Sequence, residues 1–254
     1  MSARKRAIAA SFDGAAAGYD AHAALQARAA DWLASGVLAL GLPENCRMLE
    51  IGCGTGMLTA RLAAALPGLG GVASDMAPAM VAACRARMGA AWAYAVMDAE
   101  APCVTGGFDL VVGGMAAQWF EAPARSVAGL GRLLHPGGWL ALSVPEAESL
   151  AGWRAACAAE GVVAPMPDFA AVDALVDGWR GRVMVHRTRV RLRHDSGVGF
   201  LASLRGVGAA VPRAGHVPMT PGTLRRVLRR FEAPGGAVAD YALAAIFLRR
   251  DPPR

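Results

Sequence analysis

At 254 residues, 55% of them hydrophobic, the chain can bury one sizeable core, and no window approaches the ~20 uninterrupted apolar residues of a membrane span. Five cysteines with no C-x-x-C pair and no zinc-like Cys/His spacing argue against a disulfide scaffold or a metal site. The net charge of +6 is unevenly held: from Arg180 onward 15 arginines stand against four acids, without the aromatic interleaving or motifs of a nucleic-acid binder.

The basic opening Met1–Arg6 leads into an Ala/Ile run that Asp13 and Gly14 break too early for a secretory signal, so the expected location is cytoplasmic. From there, segments alternate as parallel strands separated by helices do. Residues 21–40 are Ala- and Leu-rich with an amphipathic period, ended by Gly41-Leu42-Pro43, and residues 47–51 read as the first strand. A glycine loop follows, then a helix over 57–66 stopped by Pro67-Gly68. Strands are expected at 71–75, 92–97, 108–112 and 139–144, with helices from about 78 to 88 and 125 to 134 between them. Phe108-Asp109-Leu110-Val111-Val112 suits a strand buried on both faces. Beyond it come helices at 150–160 and 169–176 and a strand over 183–192 whose arginines alternate with Val and Leu and so line a solvent face. Two helices within 200–230, broken by Pro212, Gly215, Pro218 and Pro221, precede a closing strand at 241–248. The expected fold is α/β and Rossmann-like: a mostly parallel seven-stranded sheet with helices on both faces. It forms one domain, with residues 1–45 as a helical cover, 46–145 as the cofactor-binding core and 196–238 as a helical lid inserted before the last strand.

The glycine loop is the sharpest local signal. Leu49-Glu50-Ile51-Gly52-Cys53-Gly54-Thr55-Gly56 is a strand that ends in a loop too tight for side chains, so a ligand can lie against bare backbone. A phosphate loop would end Gly-Lys-Ser/Thr, and a dinucleotide fingerprint would place its third glycine where Met57 stands. Glu50 would repel a pyrophosphate and attract an ammonium group, which S-adenosylmethionine carries. Cys53 fills the slot between two glycines.

In a doubly wound sheet the ligand sits at the carboxyl ends of the strands, so the residues that end each strand matter most. Asp75 ends the second strand 23 positions beyond Gly52, close to the ~20-residue spacing of a ribose-binding carboxylate. Asp98 ends the third strand, placed to accept from the exocyclic amine of adenine, and Met76 and Met97 can pack on the two faces of the ring, with Ala99 beside them. Glu50, Asp75 and Asp98, in the order amine, ribose, adenine, point to S-adenosylmethionine, with S-adenosylhomocysteine as product.

On these residues, and on Leu134-His135-Pro136-Gly137-Gly138, the stretch from Leu49 to Val144 resembles the class I S-adenosylmethionine-dependent methyltransferases. The flanks narrow the likeness. Ser11-Phe12-Asp13-Gly14-Ala15-Ala16-Ala17-Gly18-Tyr19-Asp20, Ala24-Leu25-Gln26, Ala117-Gln118-Trp119 and Ser203–Ala209 together are similar to the malonyl-acyl carrier protein O-methyltransferases of biotin synthesis, over nearly the whole chain. The family opening usually has a basic residue after the Phe, where Asp13-Gly14 stands here. The resemblance implies that Tyr19 folds over the cofactor, that Gly52, Gly54, Asp75 and Asp98 contact it, that Gln118-Trp119 lies beside the methyl group, and that Ser203–Ala209 belongs to an acceptor lid.

The implied reaction esterifies the free carboxylate of a malonyl thioester on an acyl carrier protein; the alternative is another small acid or natural product with the same cofactor. A carboxylate arrives ionised, so no general base is required, and catalysis reduces to positioning and desolvation. Tyr19, Trp119 and Arg205 are the candidate catalytic residues. Arg205 is the first candidate to hold the carboxylate and Arg213 the second, while His22 and His135 read as structural, with the alternative that either lies near the pocket mouth. Arg225, Arg226, Arg229 and Arg230 on one helix offer a docking face for an acidic carrier protein. No nucleic acid, membrane or metal partner is expected.

Overall fold

The computed structural model describes residues 1–251. Its sheet grows from β1 (Arg47–Ile51), whose last four residues are buried. Parallel strands β2 (Gly70–Asp75) and β3 (Ala93–Val96) add on one side and β4 (Phe108–Gly114) and β5 (Leu134–Pro145) on the other. The chain thus runs outward from β1 and then returns to its opposite edge, which makes a topological switch point between β1 and β4. The last part of the sheet is antiparallel. The long strand β8 (Gly236–Arg249) lies against β5, and β6 (Val183–His194) lies against β8 along its whole length, from Val183 opposite Leu248 to His194 opposite Ala237. A two-residue β7 (Glu232–Ala233) pairs back onto β8, so the sheet has eight strands, seven of them the expected ones. Its order is β3-β2-β1-β4-β5-β8-β6.

Helices cover both faces. Helix α1 (Ala3–Ala15), α2 (Tyr19–His22) and α3 (Ala24–Leu38) precede the sheet, and α3 buries Leu25, Ala29, Leu33 and Val37, spaced four residues apart, along one stripe. Helices α4 (Met57–Ala65), α5 (Pro78–Met88) and α6 (Pro123–Gly131) join the parallel strands; α5 and α6 start on proline, whose missing N–H costs nothing at that position. Helices α7 (Ala151–Ala159) and α8 (Val172–Val176) lie between β5 and β6, and α9 (Gly197–Gly206) and α10 (Pro221–Phe231) between β6 and β7. Ser196 caps α9 through the N–H of Gly199 and Thr220 caps α10 through that of Thr223.

Several strands are longer than the apolar runs alone indicate, whereas β3 is shorter than the expected 92–97 and ends two residues before Asp98. β5 begins at Leu134, through Pro136-Gly137-Gly138, because a register shift between Phe108 and Leu110 lets β4 accommodate the turn residues. β8 extends the expected 241–248 back to Gly236, since β6 offers backbone partners as far as Ala237 and β7 pairs with Gly236 and Ala237. Arg187, Arg189, Arg191 and Arg193 are all exposed on β6, as their alternation requires. Among the described residues, no helix is long and apolar enough to cross a membrane, and no cluster of three or more His, Cys, Asp or Glu is arranged for a metal.

Candidate active site

At the switch point the glycine loop leaves β1. Gly54 has φ +53°, and a Cβ there would meet nothing within 4 Å: it faces open space. Gly56, at φ +84°, opens α4, and a Cβ on it would lie 2.9 Å from Cys84 Sγ, so this glycine sets how closely α4 approaches α5. The loop borders a cavity. Tyr19, Gly52, Gly54, Asp75, Met76, Met97, Asp98, Ala99 and Trp119, all expected from the sequence, line it together. Gly56 is not on the wall.

Glu50 and Cys53 border a smaller annexe, which shares Tyr19, Gly52, Gly54 and Gly114 with the main cavity. Glu50 is 1% exposed, and its carboxylate accepts from Thr59 Oγ1 at 2.5 Å. Burial outweighs that hydrogen bond and pushes its pKa up to about 8. Glu50 borders the annexe and not the main cavity. Cys53 is buried in a small cluster with Ala73 and Cys84.

Asp75 grips the loop. One carboxylate oxygen accepts from the Gly54 N–H at 3.0 Å and the other from the Ala77 N–H at 2.9 Å. Burial raises its pKa, opposed by these backbone donors. Each oxygen keeps lone-pair capacity for a further donor. Asp98, at the other end of the cavity, is met by Lys5 of α1, whose Nζ lies 2.7 and 2.6 Å from its two oxygens and 2.6 Å from Glu100. Burial opposes the charge on Lys5, yet the two carboxylates hold its pKa above the ordinary value. Glu100 is partly buried, which favours its neutral form, but donors from the Glu121 N–H, Lys5, Ser126 and the Ala122 N–H hold it down at about 2. Sequence reasoning misses Lys5 and Glu100 because both read as ordinary solvated charges.

The N-terminal cover is latched at further points. Asp13 accepts from the Ala79 N–H at 2.7 Å in the first turn of α5, so the acid that stands after Phe12 serves as a helix cap. Asp20 accepts from Thr55 Oγ1 of the glycine loop at 2.6 Å and pairs with Arg87 of α5. Phe12 meets Trp119 edge to face at 5.8 Å.

A second chamber adjoins the first. Met115 and Trp119 line both and form the partition between them. Met115 holds a left-handed backbone, φ 54°, a conformation uncommon outside glycine. Gln118 Nε2 donates to the Met115 carbonyl at 2.6 Å, and the Met115 N–H reaches the Ser143 carbonyl at 2.9 Å, which together hold the partition in place. Ser203, Leu204, Val207 and Ala209 from the expected lid line it, together with Leu150, Phe169 and Tyr241. Arg205 is exposed and lines neither chamber. Arg213 is half-buried beside Asp168, at 3.4 Å. His22 lines the second chamber, whereas His135 is exposed elsewhere.

A doubly wound sheet that reverses beside a left-handed glycine loop, with acidic strand ends on the crevice, is the architecture of the class I methyltransferases, and this chain has that fold. A family model described as a methyltransferase domain matches residues 49–142. The solved structure of a candidate methyltransferase from Bacillus halodurans C-125 superposes with TM-score 0.62 at 18% identity, covering 87% of this chain and 99% of that one. Sequence relatives go further. The biotin biosynthesis bifunctional protein BioCD of Bordetella avium is 40% identical over 92% of this chain, which spans about half (50%) of that relative's length. A malonyl-[acyl-carrier protein] O-methyltransferase of Magnetococcus marinus is 37% identical, covering 85% of this chain and 82% of its own. The chain belongs to the malonyl-[acyl-carrier protein] O-methyltransferase family.

Proposed function

We propose that the chain uses S-adenosylmethionine to methylate the free carboxylate of a malonyl group held as a thioester on an acyl carrier protein, an early step of biotin synthesis in the cytoplasm. The observation that carries this reading is the pair of adjoining chambers with Met115 and Trp119 as their common wall: one has carboxylates at two strand ends, the other is largely apolar and has no acidic side chain. The names of the relatives supply the acceptor.

The cradle fits the cofactor. Gly52 and Gly54 offer bare backbone, and the remaining lone pairs of Asp75 suit two ribose hydroxyls. Asp98 accepts from the adenine amine alongside Lys5, with Met76, Met97 and Ala99 around the ring. Glu50 faces the ammonium end from the annexe, and Cys53 and Gly56 shape the loop from behind. When bound, the cofactor supplies an electrophilic methyl: a carboxylate oxygen gains it, the electrons of the broken C–S bond stay on sulfur, and no proton moves. What the protein adds is alignment and dryness. Tyr19 and Trp119 close the first chamber at the partition, and residues 196–238 form the lid of the second, with residues 1–45 as cover and 46–145 as cofactor core. Arg205, exposed on α9, serves approach of the carrier rather than contact with the reacting carboxylate.

Transfer of labelled methyl from S-adenosylmethionine to malonyl-carrier protein, with malonyl-coenzyme A and succinyl-carrier protein as controls, tests the reading. Ester formation on the malonyl-carrier protein is expected. No transfer to it, with transfer to another acid, overturns the acceptor while leaving the cofactor assignment intact.

A further inference from the structure

The acceptor chamber has polar groups to which no task has been assigned. Among the described residues, His22 is the one side chain on its wall able to carry positive charge; Gln26, Gln118, Ser203 and Tyr241 are the other polar ones. A carboxylate drawn into so apolar a space without a donor would pay a large desolvation cost. The arginines that charge alone would nominate are off the wall: neither Arg205 nor Arg213 lines it, and Arg213 sits beside Asp168, whereas His22, though exposed to solvent like Arg205, does line it.

The position of His22 is set from two directions. It follows Tyr19 by three residues on α2, and residues so spaced share a helix face with Cβ atoms ~5–6 Å apart. Tyr19 lines the first chamber and His22 the second, so α2 sets the imidazole within about one helical turn of the place where the chambers meet. The other constraint comes from the lid. A Cβ on Gly206, in the last turn of α9, would lie 2.2 Å from His22 Cδ2 and 2.3 Å from Cγ. The ring therefore rests on backbone that only glycine leaves bare.

We infer that His22 binds the carboxylate of the acceptor, and that Gly206 is the lid position that keeps its imidazole on the chamber wall. The inference rests on the acceptor reading above. Imidazole offers an N–H donor whether neutral or protonated, so it orients a carboxylate oxygen without the fixed full charge of a guanidinium beside the attacking atom. Its seat on α9 also couples recognition to the lid: the donor is in place when α9 is.

Calorimetry on protein loaded with S-adenosylhomocysteine tests this with two ligands that differ by one carboxylate, malonyl-pantetheine and acetyl-pantetheine. Wild-type protein is expected to prefer the malonyl form by about tenfold or more, the scale of a hydrogen bond to a charged group. His22→Ala should bring the two affinities within about twofold by weakening the malonyl form alone. His22→Gln, which keeps an N–H donor, should retain part of the preference. Gly206→Ala should reproduce the loss although the imidazole is still present, since its Cβ displaces the ring. In turnover, His22→Ala should raise KM for malonyl-carrier protein more than it lowers kcat. A wild type that methylates malonyl-carrier protein while His22→Ala keeps the full preference overturns the role of His22. A wild type that transfers no methyl to it overturns the acceptor reading instead.

Discussion

Glu50 is a carboxylate whose charge depends on what lies beside it. Burial first, then the neighbouring Cys84 and Asp75, outweigh the Thr59 hydroxyl and lift it from 4.5 to about 8. Between those values the folded protein holds a proton that the unfolded chain gives up, so native stability falls as pH rises through that window. From pH 6 to 9 this one group should remove on the order of a few kcal/mol. Glu50→Gln should flatten that slope, and equal slopes for variant and wild type in parallel thermal melts at the two pH values would contradict the account. An ammonium group in the annexe favours the ionised form, so cofactor binding at pH 7 should release about one proton. Binding enthalpies measured in Tris and in phosphate should then differ for wild type and agree for Glu50→Gln.

At the scale of the element, α1 is held by charge more than by its apolar face. Its buried residues are Lys5, Ile8 and Ala9, and Lys5 Nζ bridges Asp98 and Glu100, both at 2.6 Å. Glu100 titrates at about 2, below its ordinary value, so its part in the latch is full above about pH 4.5 and is lost as pH falls through about 2. Lys5→Met leaves two poorly solvated carboxylates facing each other, a loss of about 3–5 kcal/mol for a broken buried pair. That loss should appear as local undocking of α1: trypsin cleavage after Arg6 should speed up about tenfold or more, with the thermal midpoint of the remaining fold little changed. Equal cleavage rates would show that α1 is held by something else. The same helix marks where the sequence stops being legible. Gly52, Gly54, Asp75 and Asp98 can be read in advance because strand ends in a doubly wound sheet converge on one crevice. Lys5 cannot, because its partner Asp98 lies 93 residues away and a lysine in a basic leader looks solvated. Arg205 and His22 exchange their expected places for a related reason: charge and segment are visible in sequence, but which face of α9 or α2 meets a chamber is set by packing, here by Gly206 beneath the imidazole.

Across the whole molecule the charge is sorted by side. The last third carries 15 arginines against four acids, and it supplies α10 together with β6, α9 and β8, the last three of which also wall the acceptor chamber through Leu192, Ser203, Leu204 and Tyr241. An acidic carrier protein would be drawn to that side, with its acyl arm delivered near the chamber mouth. The four arginines of α10 do not share the task equally. Arg226 and Arg230 close on Glu160 at 2.6 and 2.5 Å and tie α10 to the end of α7, whereas Arg225 and Arg229 are exposed on the same helix. Arg225→Glu combined with Arg229→Glu should lower kcat/KM for malonyl-carrier protein about tenfold at low salt, the range of electrostatic steering. The deficit should shrink as roughly 0.5 M salt screens the surface. Turnover of malonyl-pantetheine, which has no acidic protein to steer, should be unchanged. Arg226→Ala with Arg230→Ala should instead lower the melting temperature and affect both substrates alike. A deficit of the first pair that persists with malonyl-pantetheine, or that ignores salt, would place the defect in the chamber and not on the docking face.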